Sequence, residues 1–434
     1  MKKPRIARSS VVALSAALST SAFGAGFALN EQSARALGQA YSGRASDADN
    51  ASTLMSNPAG MSFLKQGELS AGFSFIDATS DITDASGNVS GSSYSGSNDG
   101  DMIPFSTIPF GYYVQPIDDH LAAGIGIYVP FGLATEYEDS FQGRYFGTTS
   151  DIQVITVQPT VSYKFDNGLA LGLGVTYNKF DGKLEESIYN PLNPSSDIQG
   201  GVKGDDTAWG YNIGLLYEFD EHTRFGLTYY SKVKYTLEGH TTVTNAPASL
   251  GIGSSARYKA SLDIETPDKI DFGFTRDLTD ALTLHGDITR TNWKTLKEIR
   301  VENQNTPTIL GQQPLAESVE PLDWRATMFY SLGLSYKVDS QWHIRGGIGY
   351  DNQPMPDSTR SVRLPAGDRW LFSFGTTWSP MSNLDIDAGF EYIVEQTVRV
   401  NQATNALITD APIEYSAKFD SNVSLFSLQA TWKF

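Results

Sequence analysis

From Gly67 to its last residue the chain alternates apolar and polar residues with a period of two. Phe426, Leu428, Ala430, Trp432 and Phe434 share one parity, and Ser427, Gln429, Thr431 and Lys433 take the other. Ile155, Val157, Val161, Tyr163 and Phe165 alternate with Thr156, Gln158, Thr160, Ser162 and Lys164, and Leu384, Ile386, Phe390, Tyr392 and Val394 with Asp385, Asp387, Gly389 and Glu391. Such a period puts each set on one face of a sheet, so the expected class is all-β. Past the first 24 residues no apolar run reaches the length of about 18 needed for a membrane helix. A barrel strand, however, needs apolar residues on one face only. A charge facing lipid at the bilayer midplane costs roughly 2–4 kcal/mol. The apolar set is therefore expected to point outward and the Asp, Gln and Thr set into a lumen. A soluble sandwich would bury the apolar set instead.

The remaining signals favour the barrel. Residues 1–24 read as a secretory signal peptide, with a basic start, an apolar run from Val11 to Leu18 and small residues at Ala22 and Gly24. Phe434 ends an alternating strand, as in outer-membrane barrels. Short turns near residues 116–119, 166–168, 220–222, 278–280, 339–340 and 380–382 interleave with long polar stretches over 78–103, 136–150, 187–206, 239–257, 301–323, 353–367 and 401–414. Six turns and seven loops make thirteen connections, hence a 14-stranded antiparallel transmembrane β-barrel over 67–434. A lumen of that girth is too wide for wall side chains to fill. Residues 25–66, rich in Ala, Ser and Gly, are expected to plug it as a small helical hatch.

Chemistry is sparse. The chain has 434 residues and no cysteine, which excludes disulfides and thiolate chemistry. Its formal net charge of −17 makes it a poor nucleic-acid binder. There is no G-x-S-x-G, P-loop or H-E-x-x-H, and the five histidines are scattered, so no catalytic residue, cofactor or metal site is expected. Gly124, Gly126, Gly172 and Gly174 sit inside strand patterns, where small lumen-facing residues beside a plug explain them. Asp47, Asp49 and Asn50 lack the spacing of a calcium loop. Proline cannot donate to a ladder, so Pro130 and Gly132, with Phe131 between them, predict a bulge or inward kink in the third strand.

Gly26-Phe27-Ala28-Leu29-Asn30-Glu31, Leu37-Gly38-Gln39-Ala40-Tyr41-Ser42-Gly43 and Asn57-Pro58-Ala59 together resemble the hatch of the FadL family. These are outer-membrane transporters for long-chain fatty acids and, in the TodX-like branch, aromatic hydrocarbons. Phe131-Gly132-Leu133-Ala134-Thr135-Glu136-Tyr137 resembles the family's kinked third strand, which makes a lateral gap facing the hatch. The resemblance implies a gate at Asn57, Pro58 and Ala59, and an opening at Pro130, Phe131 and Gly132. It also implies basic side chains for a fatty-acid carboxylate, with Lys297 and Arg300 as candidates, whose other reading is rim charges. Where the family has a second basic position, this chain has Glu186. The expected protein is a monomer in the outer membrane of a Gram-negative cell, in contact with outer-membrane lipid and lipopolysaccharide. It would take up long-chain fatty acids, bind them in the barrel and release them sideways; monoaromatic hydrocarbons are the alternative cargo. A general porin would instead conduct ions freely, and a lipid hydrolase would need a Ser/His pair.

Overall fold

The structure, a computed structural model, describes residues 25–252, 255–309, 311–407 and 409–434. The predicted signal peptide lies outside them. The described residues form fourteen antiparallel staves. These are β1 (Glu68–Val89), β2 (Ser106–Pro116), β3 (Leu121–Glu136), β4 (Thr149–Lys164), β5 (Leu169–Ile188), β6 (Ile198–Asp220) and β7 (Thr223–Tyr230 with Val233–Thr244). They continue as β8 (Ser255–Thr266 with Lys269–Asp277), β9 (Leu282–Thr291 with Glu298–Asn303), β10 (Glu317–Pro321 with Thr327–Lys337) and β11 (Trp342–Asp351). The last are β12 (Arg369–Met381), β13 (Leu384–Glu395 with Val398–Asn405) and β14 (Pro412–Lys433). β1 pairs along nearly its whole length with β14, from Glu68–Lys433 to Val89–Ile413, and this ladder closes the cylinder. Closure removes the unpaired edges that hydrocarbon would not tolerate.

The period-two pattern is realised as lipid face and lumen face. Leu69 and Phe73 are half-exposed on the outside while Ser70 and Ser74 between them are buried, and Leu171, Leu173 and Val175 face out beside buried Ala170. Around the short-turn end run outward aromatics: Tyr113 stacks on Phe434 and Trp342 on Trp378, at ring-centroid separations of 6.0 Å in both pairs. This is the girdle expected at a bilayer interface. At the other end the staves project beyond the alternating region. β1 runs to Val89 and β7 to Thr244, into stretches that the polar pattern assigned to loops. Above the lipid the outer face of a stave is wet, and apolar residues such as Tyr415, Ala417 and Phe419 of β14 turn inward instead, so the apolar-out pattern ends there.

Residues 25–66 carry little regular structure: α1 (Ala34–Leu37), α2 (Thr53–Ser56) and a 3-10 turn, Pro58–Phe63. They lie within the cylinder, against residues of every stave from β3 to β14. At a common height just above them β7, β8, β9 and β10 are each interrupted, at 231–232, 267–268, 292–297 and 322–326. Pro267, with no N–H to give, accounts for the second of these breaks.

Candidate functional site

The wall is parted between β2 and β3. Their ladder runs from Pro116–Ala122 to Gly111–Ile127, and the next backbone link is the Glu136 N–H to the Met102 carbonyl at 2.7 Å. Between these points β3 keeps its partner β4, with a register shift between Tyr128 and Phe131. The alternating exposure of β3 ends there: Ile125 and Ile127 face outward, whereas Tyr128, Val129 and Gly132 to Thr135 are buried. The stave therefore bends inward at Pro130 to Gly132 and leaves β2 behind. About eight residues of β3 edge, roughly 25 Å of strand, are involved.

The bent edge is met by the first described residues. Ala28 bridges Phe131 in antiparallel sense; the Leu29 N–H donates to the Pro130 carbonyl at 2.9 Å, and the Gly132 N–H to the Phe27 carbonyl at 2.9 Å. The Gln32 side chain extends the mimicry, donating to the Val129 carbonyl (2.7 Å) and accepting from its N–H (3.2 Å). Backbone groups that lost β2 are thereby satisfied by another segment of the chain, as burial requires. Phe27 enters an aromatic box, with ring centroids 5.7 Å from Phe131, 5.0 Å from Trp293 and 5.9 Å from Trp324. Burying that ring contributes roughly 1.5–3 kcal/mol. Gly26, at φ +65°, leaves no room for a side chain: a Cβ would lie 2.8 Å from both tryptophans.

The Asn57 turn docks elsewhere, on β4 to β6. The Asn57 carboxamide accepts from the Ala59 N–H at 3.0 Å, capping the 3-10 turn, and donates to the carbonyls of Ala45 and Leu215. The Ser162 hydroxyl donates to the Ala59 carbonyl at 3.2 Å and accepts from the Ser62 N–H at 3.0 Å. Bare backbone receives the turn: a Cβ on Gly172 would sit 2.3 Å from the Ala59 nitrogen, and one on Gly214 would sit 2.0 Å from the Asn57 side-chain oxygen. Gly124 and Gly126 likewise abut Leu54, so these strand glycines mark the contact area of the N-terminal segment.

Charge pairs add direction to the docking. Arg44 donates to Asp271 (2.7 Å), Asn30 (2.8 Å) and Thr289 (2.6 Å), and Arg35 reaches Asp387 (3.1 Å) and Asp385 (3.4 Å). Lumen-facing carboxylates thus meet the two arginines of an otherwise small-residue segment. Glu31, 1% exposed, has no such cation in bonding range among the described residues, and burial pushes its carboxyl up from 4.5 to about 7. A carboxyl raised on folding stabilises fully below its unfolded value, and that contribution is lost as pH rises through the folded one. The loss amounts to up to roughly 3 kcal/mol. Amide exchange around residues 30–37, corrected for intrinsic rates, is therefore expected to be slower at pH 5 than at pH 8. Glu31→Gln should remove the difference; an unchanged difference in that variant would assign it to another group.

Several cavities lie within the cylinder among the described residues, and two of them bear on a ligand. An inner one of about 110 Å³ lies over the N-terminal segment and is lined by Ala28, Leu29, Pro130 and Phe131 as well as by Tyr230 and Lys269. An outer one of about 320 Å³ lies among the long connections, lined by Ile188, Ile299, Val301 and Leu315, with Glu186, Glu320 and Arg363 as its charged groups beside Glu317. Lys297 is exposed and Arg300 is paired with Glu298 and Glu317; neither lines either cavity. Sequence reasoning had no sight of the Phe27 box, Arg44 or Lys269. The one available sign of Lys269 was Pro267, which breaks a strand two residues before it.

A closed barrel with a lipid-facing apolar belt, an occupied lumen and a parted wall defines an outer-membrane transport protein. The family model described as "Outer membrane protein transport protein (OMPP1/FadL/TodX)" matches residues 15–434, and the chain belongs to that family. It is 28% identical to the long-chain fatty acid transport protein of Escherichia coli O6:H1 over the full length of both chains. It is 30% identical to outer membrane protein P1 of Haemophilus influenzae, covering 94% of this chain and 95% of that one. The crystal structure of a Pseudomonas aeruginosa FadL homologue superposes with a TM-score of 0.85 at 23% identity, covering 94% of this chain and all of the other. The protein is thus a transporter of hydrophobic compounds in the Gram-negative outer membrane.

Proposed function

We propose that the protein takes up long-chain fatty acids, with residues 25–66 as a hatch and the β2–β3 parting as the exit into the lipid. The observation that carries this reading is that one cavity touches both parts, through Leu29 on the hatch and Phe131 on the bent stave. Cost supports the sideways route. Each buried methylene is worth about 0.8 kcal/mol, so drawing a tail of sixteen carbons into water costs roughly 12 kcal/mol. Release between staves avoids that step. Cargo in the inner cavity would displace residues 27–32 from β3 and shift the Asn57–Ala59 turn, the gate of the hatch. The shift is a choice between two hatch states biased by ligand. Full-length similarity to a fatty acid transporter supports the cargo class.

Expression in Gram-negative cells lacking their own fatty-acid transporter should restore uptake of radiolabelled hexadecanoate. Restoration of toluene uptake alone would redirect the assignment to monoaromatic cargo. High ion conductance of the purified protein in planar bilayers would point to a porin.

A further inference from the structure

We infer that Lys269 is the anchor for the carboxylate of the cargo, at the hatch end of the inner cavity; this rests on the uptake reading above. An anionic ligand needs a cation that the protein has not already neutralised. The outer cavity has none to offer. Arg363 gives Nη2 to Glu186 (2.8 Å), Nε to Glu320 (3.2 Å), and Nη1 to the carbonyls of Thr149 and Glu185, both at 3.1 Å. Two carboxylates share that one guanidinium, and Glu317 adds a third acid to the lining, itself paired with Arg300. A free carboxylate would meet net negative charge there.

The inner cavity differs. Arg44, on its lining, is committed to Asp271, Asn30 and Thr289, and Asp351 is held by Arg369 at 2.7 Å. Lys269 makes no ion pair among the described residues; its ammonium rests on the Tyr230 ring, 4.1 Å from the centroid. A cation on an aromatic face keeps donors for a further acceptor. The backbone explains its placement. The break at Pro267–Asp268 ends the upper ladder of β8 at Thr266–Val233, and Lys269 restarts it opposite Tyr230 and Thr291.

The site is also wired to the hatch. The Tyr230 hydroxyl donates to the carbonyls of Met55 (3.1 Å) and Ser56, the two residues before Asn57. A carboxylate drawing Lys269 off the ring would disturb the contact that holds the Asn57 turn. Elsewhere on the lining, Leu29, Pro130 and Phe131 are apolar and suit the alkyl chain.

The test compares tetradecanoate with tetradecanol, equal in chain length and differing in the head, as tritiated ligands on the purified full-length protein in detergent. Wild type should bind the carboxylate about tenfold more tightly, the increment of one charge-assisted hydrogen bond. Lys269→Met should erase that preference, leaving the two ligands bound equally well, and Lys269→Arg should keep it. A preference that survives Lys269→Met, or none in wild type, overturns the anchor and leaves the uptake reading standing. Failure of wild type to bind either ligand overturns both.

Discussion

Cells carrying the Ala28→Cys, Phe131→Cys protein are expected to lose hydrophobic uptake under oxidising conditions, down to the level of cells without the transporter, and to recover it on reduction. The geometry favours the bond. The flanking residues carry both backbone hydrogen bonds, so Ala28 and Phe131 form a non-hydrogen-bonded antiparallel pair. Such pairs have Cα atoms about 4.5 Å apart, within the span of roughly 4.4–6.8 Å that a disulfide bridges. The chain has no cysteine of its own, so no competing bridge forms. A covalent link removes the undocked state instead of disfavouring it. Equal uptake by the oxidised and reduced forms would show that cargo passes without separating residue 28 from β3. The reduced double variant serves as the control for the lost phenyl ring.

Much of this site was legible before the structure, and its limits have a physical pattern. Alternation exposed the wall because lipid punishes any polar residue on the outer face. It failed where that penalty stops, so β1 and β7 extend into stretches read as loops. Pro130 betrayed the bend in β3, since a missing N–H is visible in one letter. What meets the bend was not visible: Phe27 to Gln32 lie about a hundred residues earlier, and nothing local couples them to Val129. Lys297, Arg300 and Lys269 illustrate a second limit. Parity tells which face a side chain takes but not what it meets there: Lys297 is exposed and Arg300 is paired with Glu298 and Glu317, while Lys269 rests on Tyr230 in the inner cavity.

The second large effect is expected from Gly172→Leu, which should convert a poorly conducting barrel into an ion-conducting one. A Cβ at Gly172 would lie 2.3 Å from the Ala59 nitrogen and from the Pro58 carbonyl carbon, both backbone atoms that no rotamer change can move. Overpacking of a close contact costs about 1–3 kcal/mol, and here the cheapest relief is withdrawal of the turn from the wall. The staves themselves need not move, so the variant should keep the heat-resistant gel mobility of a folded barrel. Gly111→Ala is the matched control, because its nearest neighbour is 3.7 Å away and belongs to the wall. A folded Gly172→Leu protein with unchanged conductance would mean that the Asn57 turn does not contribute to sealing the lumen.

The ladder joining β1 to β14 has a consequence for biogenesis. The N-terminal segment takes its partners from staves as far along as β14, where Gln429 accepts from the Ala34 N–H, so the earliest residues made complete their contacts only when the last stave is in place. The Arg35 and Arg44 pairs with Asp387 and Asp271 likewise join the start of the chain to staves made more than two hundred residues later.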